Sequence, residues 1–286
     1  MKNSVSSYSF GAYVDRLGME EIVAKAADMG FEGIEFVEGG WTQGLSRDVA
    51  EAVRKCAEKH GLALVSYCIG ADFLYGSGGD IDAEVKRVCA HADFAAALGV
   101  KNMRHDVAYG VQGKTGLSYD SVVGRLADGC RKVTRYAESI GVGTMTENHG
   151  FFSQDSERVE KLINTVDHPN FGALVDIGNF LCADEDPVKA VSRMAPYARH
   201  VHCKDFHVKS GAEYPAPGAG WFHSRGYNWL RGSVLGSGNV PVAQCLRILN
   251  GAGYSGFVSI EFEGVEDNLL GVAWGLDYLK RAEATL

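Results

Sequence analysis

Short apolar runs alternate with longer segments of helical spacing along the whole of this 286-residue chain. Val5–Phe10 reads as a first strand. In Met19–Met29, Ile22, Val23, Ala26 and Met29 recur on one helical side, with Gly30 as the stop. Gly33–Val37 gives a second strand. Ser46–His60 follows as a helix with Ser46 as N-cap and Gly61 as terminator, and Leu62–Cys68 is a third strand. The rhythm continues with helix Asp82–Leu98 and strand Val100–His105, then helix Tyr119–Ile140 and strand Val142–Glu147. Helix Gln154–Val166 leads into strand Phe171–Asp176, and Pro187–Met194 into Ala198–Lys204. Pro241–Asn250 leads into Phe257–Glu261, and Asn268–Arg281 is a last helix.

Strict alternation implies a parallel sheet, and eight such units closing on themselves give a (β/α)8 TIM barrel spanning residues 1–286. An open doubly wound sheet is the rival, but no Gly-x-Gly-x-x-Gly follows the first strand. One segment breaks the pattern: residues 206–239 are rich in glycine and carry Trp221, His223, Arg225, Trp229 and Arg231. A loop of that length is predicted to cover an active site or meet a partner. Its aromatic residues suit a lid or a homo-oligomeric contact equally.

Composition narrows the classes. A formal net charge of -8 with no basic run argues against a nucleic-acid surface. No uninterrupted apolar stretch is long enough to span a bilayer, and the first ten residues read as a strand instead of a signal peptide. Seven cysteines without a Cys-x-x-Cys pair point to free thiols and a reducing cytoplasm.

The chemistry gathers around His200-Val201-His202-Cys203-Lys204. On a strand, His200, His202 and Lys204 face one way, and Val201 and Cys203 face the helix layer. Ionisable groups on an inward face are costly to bury without partners. Carboxylates close other runs: Glu147, Asp176 and Glu261. A barrel brings strand ends to one mouth, so these three and His202 form a candidate site for one divalent ion, with Mn²⁺, Mg²⁺ or Co²⁺ better suited than a thiol-bound zinc. His200 reads as a hydrogen-bonded inner residue. Lys204 is either a solvated rim charge or a contact to a substrate oxygen. His149 leans over the same mouth. Arg104, His105 and Asp106 end strand four, as substrate contacts or as a rim salt bridge, and Glu35 and Glu38 near strand two read similarly. Gly76-Ser77-Gly78-Gly79 reads as a flexible loop or a phosphate cradle.

Thr-Glu-Asn-His-Gly at strand five, Val-Asp-Ile-Gly-Asn at strand six, His-Val-His-Cys-Lys-Asp at strand seven and Ser-Ile-Glu-Phe-Glu at strand eight resemble the sugar phosphate isomerase/epimerase superfamily, the xylose isomerase-like TIM barrels. The resemblance implies a divalent ion, commonly Mn²⁺, held by the residues at Glu147, Asp176, His202 and Glu261. It further implies a small sugar substrate and two glutamates that move a proton beside its carbonyl. The chain departs from the epimerases at Asn179, where they carry His, and after the strand-seven His, where they carry Arg and this chain has Phe206, His207 and Val208. With the long segment and Arg225 suggesting a larger substrate, branches that eliminate are the alternative: C-glycoside cleavage with a small partner subunit, or dehydration of a keto-inositol. In the C-glycoside branch His149 would serve as acid or base.

Overall fold

The computed structural model describes residues 1–110, 118–212 and 217–286. Its centre is a closed parallel barrel of eight strands: β1 (Lys2–Ser6), β2 (Gly33–Val37), β3 (Ala63–Ile69), β4 (Asn102–His105), β5 (Gly143–Glu147), β6 (Phe171–Asp176), β7 (Ala198–Cys203) and β11 (Phe257–Ile260). Around it lie α1 (Gly11–Met29), α2 (Arg47–Lys59), α3 (Ile81–Leu98), α4 (Tyr119–Ser139), α5 (Ser156–Val166), α6 (Pro187–Met194), α7 (Val242–Gly251) and α8 (Asn268–Glu283). The chain is therefore a (β/α)8 barrel, as its alternation predicts.

Local chemistry sets the boundaries. Ser46 accepts a hydrogen bond from the Val49 amide, as predicted, and Asp80, Asp155, Asp186 and Asp267 cap α3, α5, α6 and α8 in the same way. Each such cap stabilises its helix by about 1 kcal/mol. Gly30 and Gly99 end α1 and α3 at φ +89° and +81°, a left-handed turn that costs a residue with a Cβ. The first strand stops at Ser6, short of the expected Phe10. Its ladder to β11 runs from Lys2 opposite Phe257 to Val5 opposite Ile260, where β11 ends, and Ser7–Phe10 turn instead.

The main apolar core lies between strands and helices, where Val201 and Cys203 of β7 are fully buried. The barrel interior is different. Cys68, Met145 and Leu174 form a small separate apolar cluster inside it. Buried polar residues, including Glu35, Arg104, Glu147, Asp176, His200 and His202, occupy other inward positions. Such a concentration needs a shared partner to offset its desolvation.

The segment 206–239, expected to be irregular, carries strands of its own. β8 (Asp205–Lys209), β9 (Phe222–His223) and β10 (Trp229–Ser233) pair antiparallel in the order β8-β10-β9. Phe206, Leu230 and Cys182 give this sheet a small core. Its base is fixed by Asp205, whose buried carboxylate accepts from the amides of Phe206, Gly236, Gly238 and Val240 at 2.8–3.0 Å.

Candidate metal centre

The C-terminal ends of β5, β6, β7 and β11 bring Glu147, Asp176, His202 and Glu261 together, with one donor atom from each lying within 4.8 Å of the others. Glu147 and Asp176 are the last residues of their strands. Glu261 lies one residue beyond β11, but its amide still donates to the Cys203 carbonyl at 3.1 Å and continues the ladder. Asn148 joins β5 to β6 through its side-chain amide, donating to the Asp176 carbonyl and accepting from the Asp176 amide.

Two buried atoms in this ring have no hydrogen-bond partner among the described residues: His202 Nδ1 and Asp176 Oδ2. Both follow from what the opposite side of each group does. His202 Nε2 lies 2.8 Å from Glu35 Oε1, which turns Nδ1 to the ring, 3.6 Å from Glu147 Oε1 and 3.5 Å from Glu261 Oε2. Asp176 Oδ1 accepts from the amides of Gly178 and Asn179, which leaves Oδ2 facing the same space. Three carboxylates and an imidazole, two of them with a buried atom that lacks a hydrogen-bond partner, fit a hard or borderline divalent ion.

Cations already present grip the two glutamates. Arg104 Nη2 is 2.5 Å from Glu147 Oε2, while Asn179 donates to Glu147 Oε1 at 3.0 Å. Lys204 Nζ is 2.6 Å from Glu261 Oε2, 3.1 Å from Glu263 and 3.6 Å from Asp176 Oδ2. Burial pushes the Glu147 carboxyl up, but Arg104 and His202 outweigh it and hold it well below the usual range. Burial likewise opposes Glu261, which Lys204 and His202 bring down to about 2. At Asp176 burial wins over Lys204, and the carboxyl is pushed up to about 7.

His149 follows β5 and lies beside Asp106, Nδ1 to Oδ1, at 3.2 Å. Asp106 also pairs with Arg104 at 3.1 Å and accepts from the Tyr109 hydroxyl at 2.9 Å. A chain of charges thus runs from His149 through Asp106 and Arg104 to Glu147. Burial lowers the His149 imidazole, and Asp106 more than restores it. His149, Lys204, Arg104, Glu147, His202 and Glu261 all line one cavity of about 450 Å³.

Other expected contacts lie elsewhere. His105 is fully buried between the rings of Phe73 and Phe171, away from that cavity, because Met103 and His105 share the outward face of β4 and Arg104 takes the inward one. Arg225 lies outside the cavity, with Nη1 bonded to Asp155 at 2.8 Å and to the Phe151 carbonyl at 3.2 Å. Gly76–Gly79 closes around Glu84, whose carboxylate accepts from the Ser77 hydroxyl at 2.7 Å. The amides of Gly76 and Gly79 bond the carbonyls of Asp72 and Tyr75, so they are not turned to a phosphate. Glu35 and Arg104 are the residues sequence reasoning undervalued; inward alternation on β2 and β4 is the signal that finds them.

A parallel (β/α)8 barrel with an oxygen-rich donor ring at its C-terminal mouth defines a class of barrels able to hold a divalent ion. The chain belongs to the xylose isomerase-like TIM barrel family, which it matches over residues 23–282. It is 24% identical over 255 residues to an inosose dehydratase of Clostridium perfringens, covering 85% of this chain and 82% of that protein. With an inosose dehydratase of Clostridium beijerinckii it shares 26% identity over 194 residues, and the chain spans 62% of that relative's length. In fold it is similar to a D-psicose 3-epimerase from Clostridium cellulolyticum H10, with a TM-score of 0.75 at 15% identity over 99% of both chains. No helix among the described residues is long and apolar enough to cross a membrane. All seven cysteines are free thiols.

Proposed function

We propose that this chain is a divalent-metal-dependent enzyme that removes a proton beside the carbonyl of a keto-sugar or keto-polyol and then expels the neighbouring hydroxyl as water. The observation that carries the reading is the donor ring, with His202 Nδ1 and Asp176 Oδ2 buried and lacking hydrogen-bond partners, beside a cavity that Glu147, Glu261, His202 and His149 line. Glu147, Asp176, His202 and Glu261 would hold the ion, with Mn²⁺ the first choice and Mg²⁺ or Co²⁺ alternatives. Such an ion acts as a Lewis acid that acidifies a C–H beside a carbonyl.

The residues divide the remaining work. Glu147 has Arg104 on one oxygen and Asn179 on the other, which suits it to a fixed charge. Glu261 is paired by Lys204 through Oε2 at 2.6 Å, and is the better base once Nζ turns to a substrate oxygen. The C–H electron pair becomes the new C=C bond, and the β-carbon–oxygen bond breaks. His149, oriented by Asp106, gives its proton to the departing hydroxyl. The names of the inosose dehydratase relatives support elimination as the outcome.

Return of the proton to the opposite face, making an epimerase, is the second reading, favoured by the presence of two glutamates in the ring. Product analysis in deuterated water separates the two. A dehydratase releases water and yields an unsaturated or tautomerised diketone, whereas an epimerase returns a deuterated stereoisomer of equal mass apart from the label. With Mn²⁺ present, Glu261→Gln is expected to fold normally and lose hydrogen exchange at the carbon beside the carbonyl. Full exchange in that variant would refute the assignment of the base.

A further inference from the structure

The turn that carries His149 is held in an unfavourable shape from outside. Gly150 has φ +80° and Phe151 φ +63°, so two successive residues are left-handed and the second has a Cβ. Such residues persist only where their surroundings impose the conformation. The Phe151 side chain is 43% exposed, so packing supplies little of that restraint. The restraint falls on its backbone: the amide donates to the Gln154 side chain, and the carbonyl accepts from Arg225 Nη1 at 3.2 Å. His149 and Ser153 close the turn in an isolated antiparallel bridge.

Gln154 is local, whereas Arg225 lies 74 positions along the chain, in the hairpin between β9 and β10. That hairpin is itself tied down. Its tip folds around the Asp184 carboxylate, which accepts from the Ser224 hydroxyl at 2.6 Å, the Asn228 side chain at 2.8 Å and the Gly226 amide. The Arg225 amide donates to the Cys182 carbonyl at 2.7 Å, within the turn Asn179–Ala183 that follows β6. Arg225 therefore spans two segments at the barrel mouth, its backbone on the one that carries Asn179 and its guanidinium on the one that carries His149. Nη1 also bonds Asp155 Oδ2 at 2.8 Å, and Asp155 caps α5. One nitrogen thus fastens the apex of the turn to the start of that helix.

His149 depends on this fastening. Its imidazole is partly exposed, and Nδ1 meets Asp106 at 3.2 Å, the long end of the hydrogen-bond range. A shift of about 1 Å in the turn takes Nδ1 out of reach of that carboxylate.

We propose that Arg225 is a positioning residue: it holds Gly150 and Phe151 in their left-handed form and so keeps the His149 imidazole on Asp106 at the donor-ring cavity. The part His149 plays as proton donor rests on the function proposed above; its placement by Arg225 rests on the contacts alone. The antiparallel sheet thereby reaches the proton-transfer step through the turn its hairpin clamps.

Two measurements test this. A crystal structure of Arg225→Ala is expected to show Phe151 relaxed to a negative φ and His149 Nδ1 more than about 4 Å from Asp106 Oδ1. An unmoved turn overturns the proposal whatever the substrate. Mn²⁺-loaded protein incubated with a keto-inositol in deuterated water then reports hydrogen exchange beside the carbonyl and loss of water separately. Arg225→Ala is expected to slow water loss by about tenfold or more, with exchange undiminished and KM nearly unchanged, because removal of the C–H proton by Glu261 does not use His149. Arg225→Lys, which keeps a donor for the Phe151 carbonyl, should recover most of the loss. In a His149→Ala background, Arg225→Ala should add nothing. Equal falls in exchange and water loss, no recovery with lysine, or a further loss in His149→Ala would each give Arg225 a general structural role and overturn the proposal. If the parent chain neither exchanges nor dehydrates the keto-inositol while the turn moves in Arg225→Ala, the proposed function fails and the placement of His149 by Arg225 stands.

Discussion

Glu35 Oε1 lies 2.8 Å from His202 Nε2, and its other oxygen lies 3.1 Å from His200 Nε2, which also meets the Ser259 hydroxyl at 2.9 Å. This fully buried carboxylate, contributed by β2, holds the imidazole of β7 so that Nδ1 points at the donor ring. Carboxylate partners of this kind fix the tautomer and orientation of a metal-binding His, and losing one commonly costs 10–100-fold in metal affinity. Glu35→Gln keeps the shape and one acceptor oxygen but removes the charge. We expect Mn²⁺ affinity, measured by titration calorimetry, to fall by about tenfold or more with an unchanged circular dichroism spectrum. Equal affinity in the two proteins would show that His202 is not oriented through Glu35.

Arg104 bears on stability as well as on the site. It is buried and pairs with both Glu147 and Asp106, so Arg104→Met removes the one guanidinium that two buried carboxylates share. Breaking a buried pair by removing one partner typically costs about 3–5 kcal/mol. A divalent ion at the donor ring would neutralise Glu147 and recover part of that loss. Thermal unfolding with and without Mn²⁺ should therefore show a larger metal-induced rise in Tm for Arg104→Met than for the parent chain. An identical rise in both would place the ion away from Glu147.

His105 gives the fold an acid sensitivity unconnected with the donor ring. Burial pushes its imidazole down to about 4, from an ordinary value near 6.5. The unfolded chain binds the proton more readily across that interval, so stability is fully present above about pH 6.5 and is lost as pH falls toward 4. One pKa unit corresponds to about 1.4 kcal/mol, which makes the loss on the order of 2 kcal/mol by pH 5. Urea unfolding at pH 7.5 and pH 5 should show this loss in the parent and a smaller one in His105→Phe, whose ring suits the space between Phe73 and Phe171. The same pH dependence in both would assign the acid sensitivity to other groups.

How far the sequence was legible depended on which periodicity was at work. The barrel was open to reading because its apolar runs and helical stripes alternate everywhere outside residues 206–239, and glycine and capping residues mark helix ends. The donor ring was open to reading because each carboxylate directly follows an apolar run that terminates at the barrel mouth. His105 and Arg104 show what was harder. Both are polar and adjacent, and only the parity set by Met103 on β4 says which one faces inward. Glu35 sits between Ile34 and Phe36 with no motif around it, and its role emerges only when β2 meets β7 across the interior. The segment after β7 hid its strands because its pairing depends on Asp205 gathering amides from residues some thirty positions away.

That gathering point supports a last prediction. Oδ2 of Asp205 accepts from the amides of Gly236 and Gly238, and Oδ1 from those of Phe206 and Val240. Asp205→Asn puts a donor where one of these oxygens stood, so two N–H groups lose their acceptor, buried at Phe206 and Val240 and part-buried at Gly236 and Gly238. Each unsatisfied group costs about 1–3 kcal/mol. Because the bonds tie the antiparallel sheet to the barrel and add nothing to the barrel's own ladder, the loss should appear first as local opening. Limited proteolysis is expected to cut Asp205→Asn within residues 206–239 well before the parent chain, while hydrogen exchange in β5 and β6 stays slow in both. If the segment resists cleavage equally in the two proteins, the sheet is held by its own core of Phe206 and Leu230 and not by Asp205.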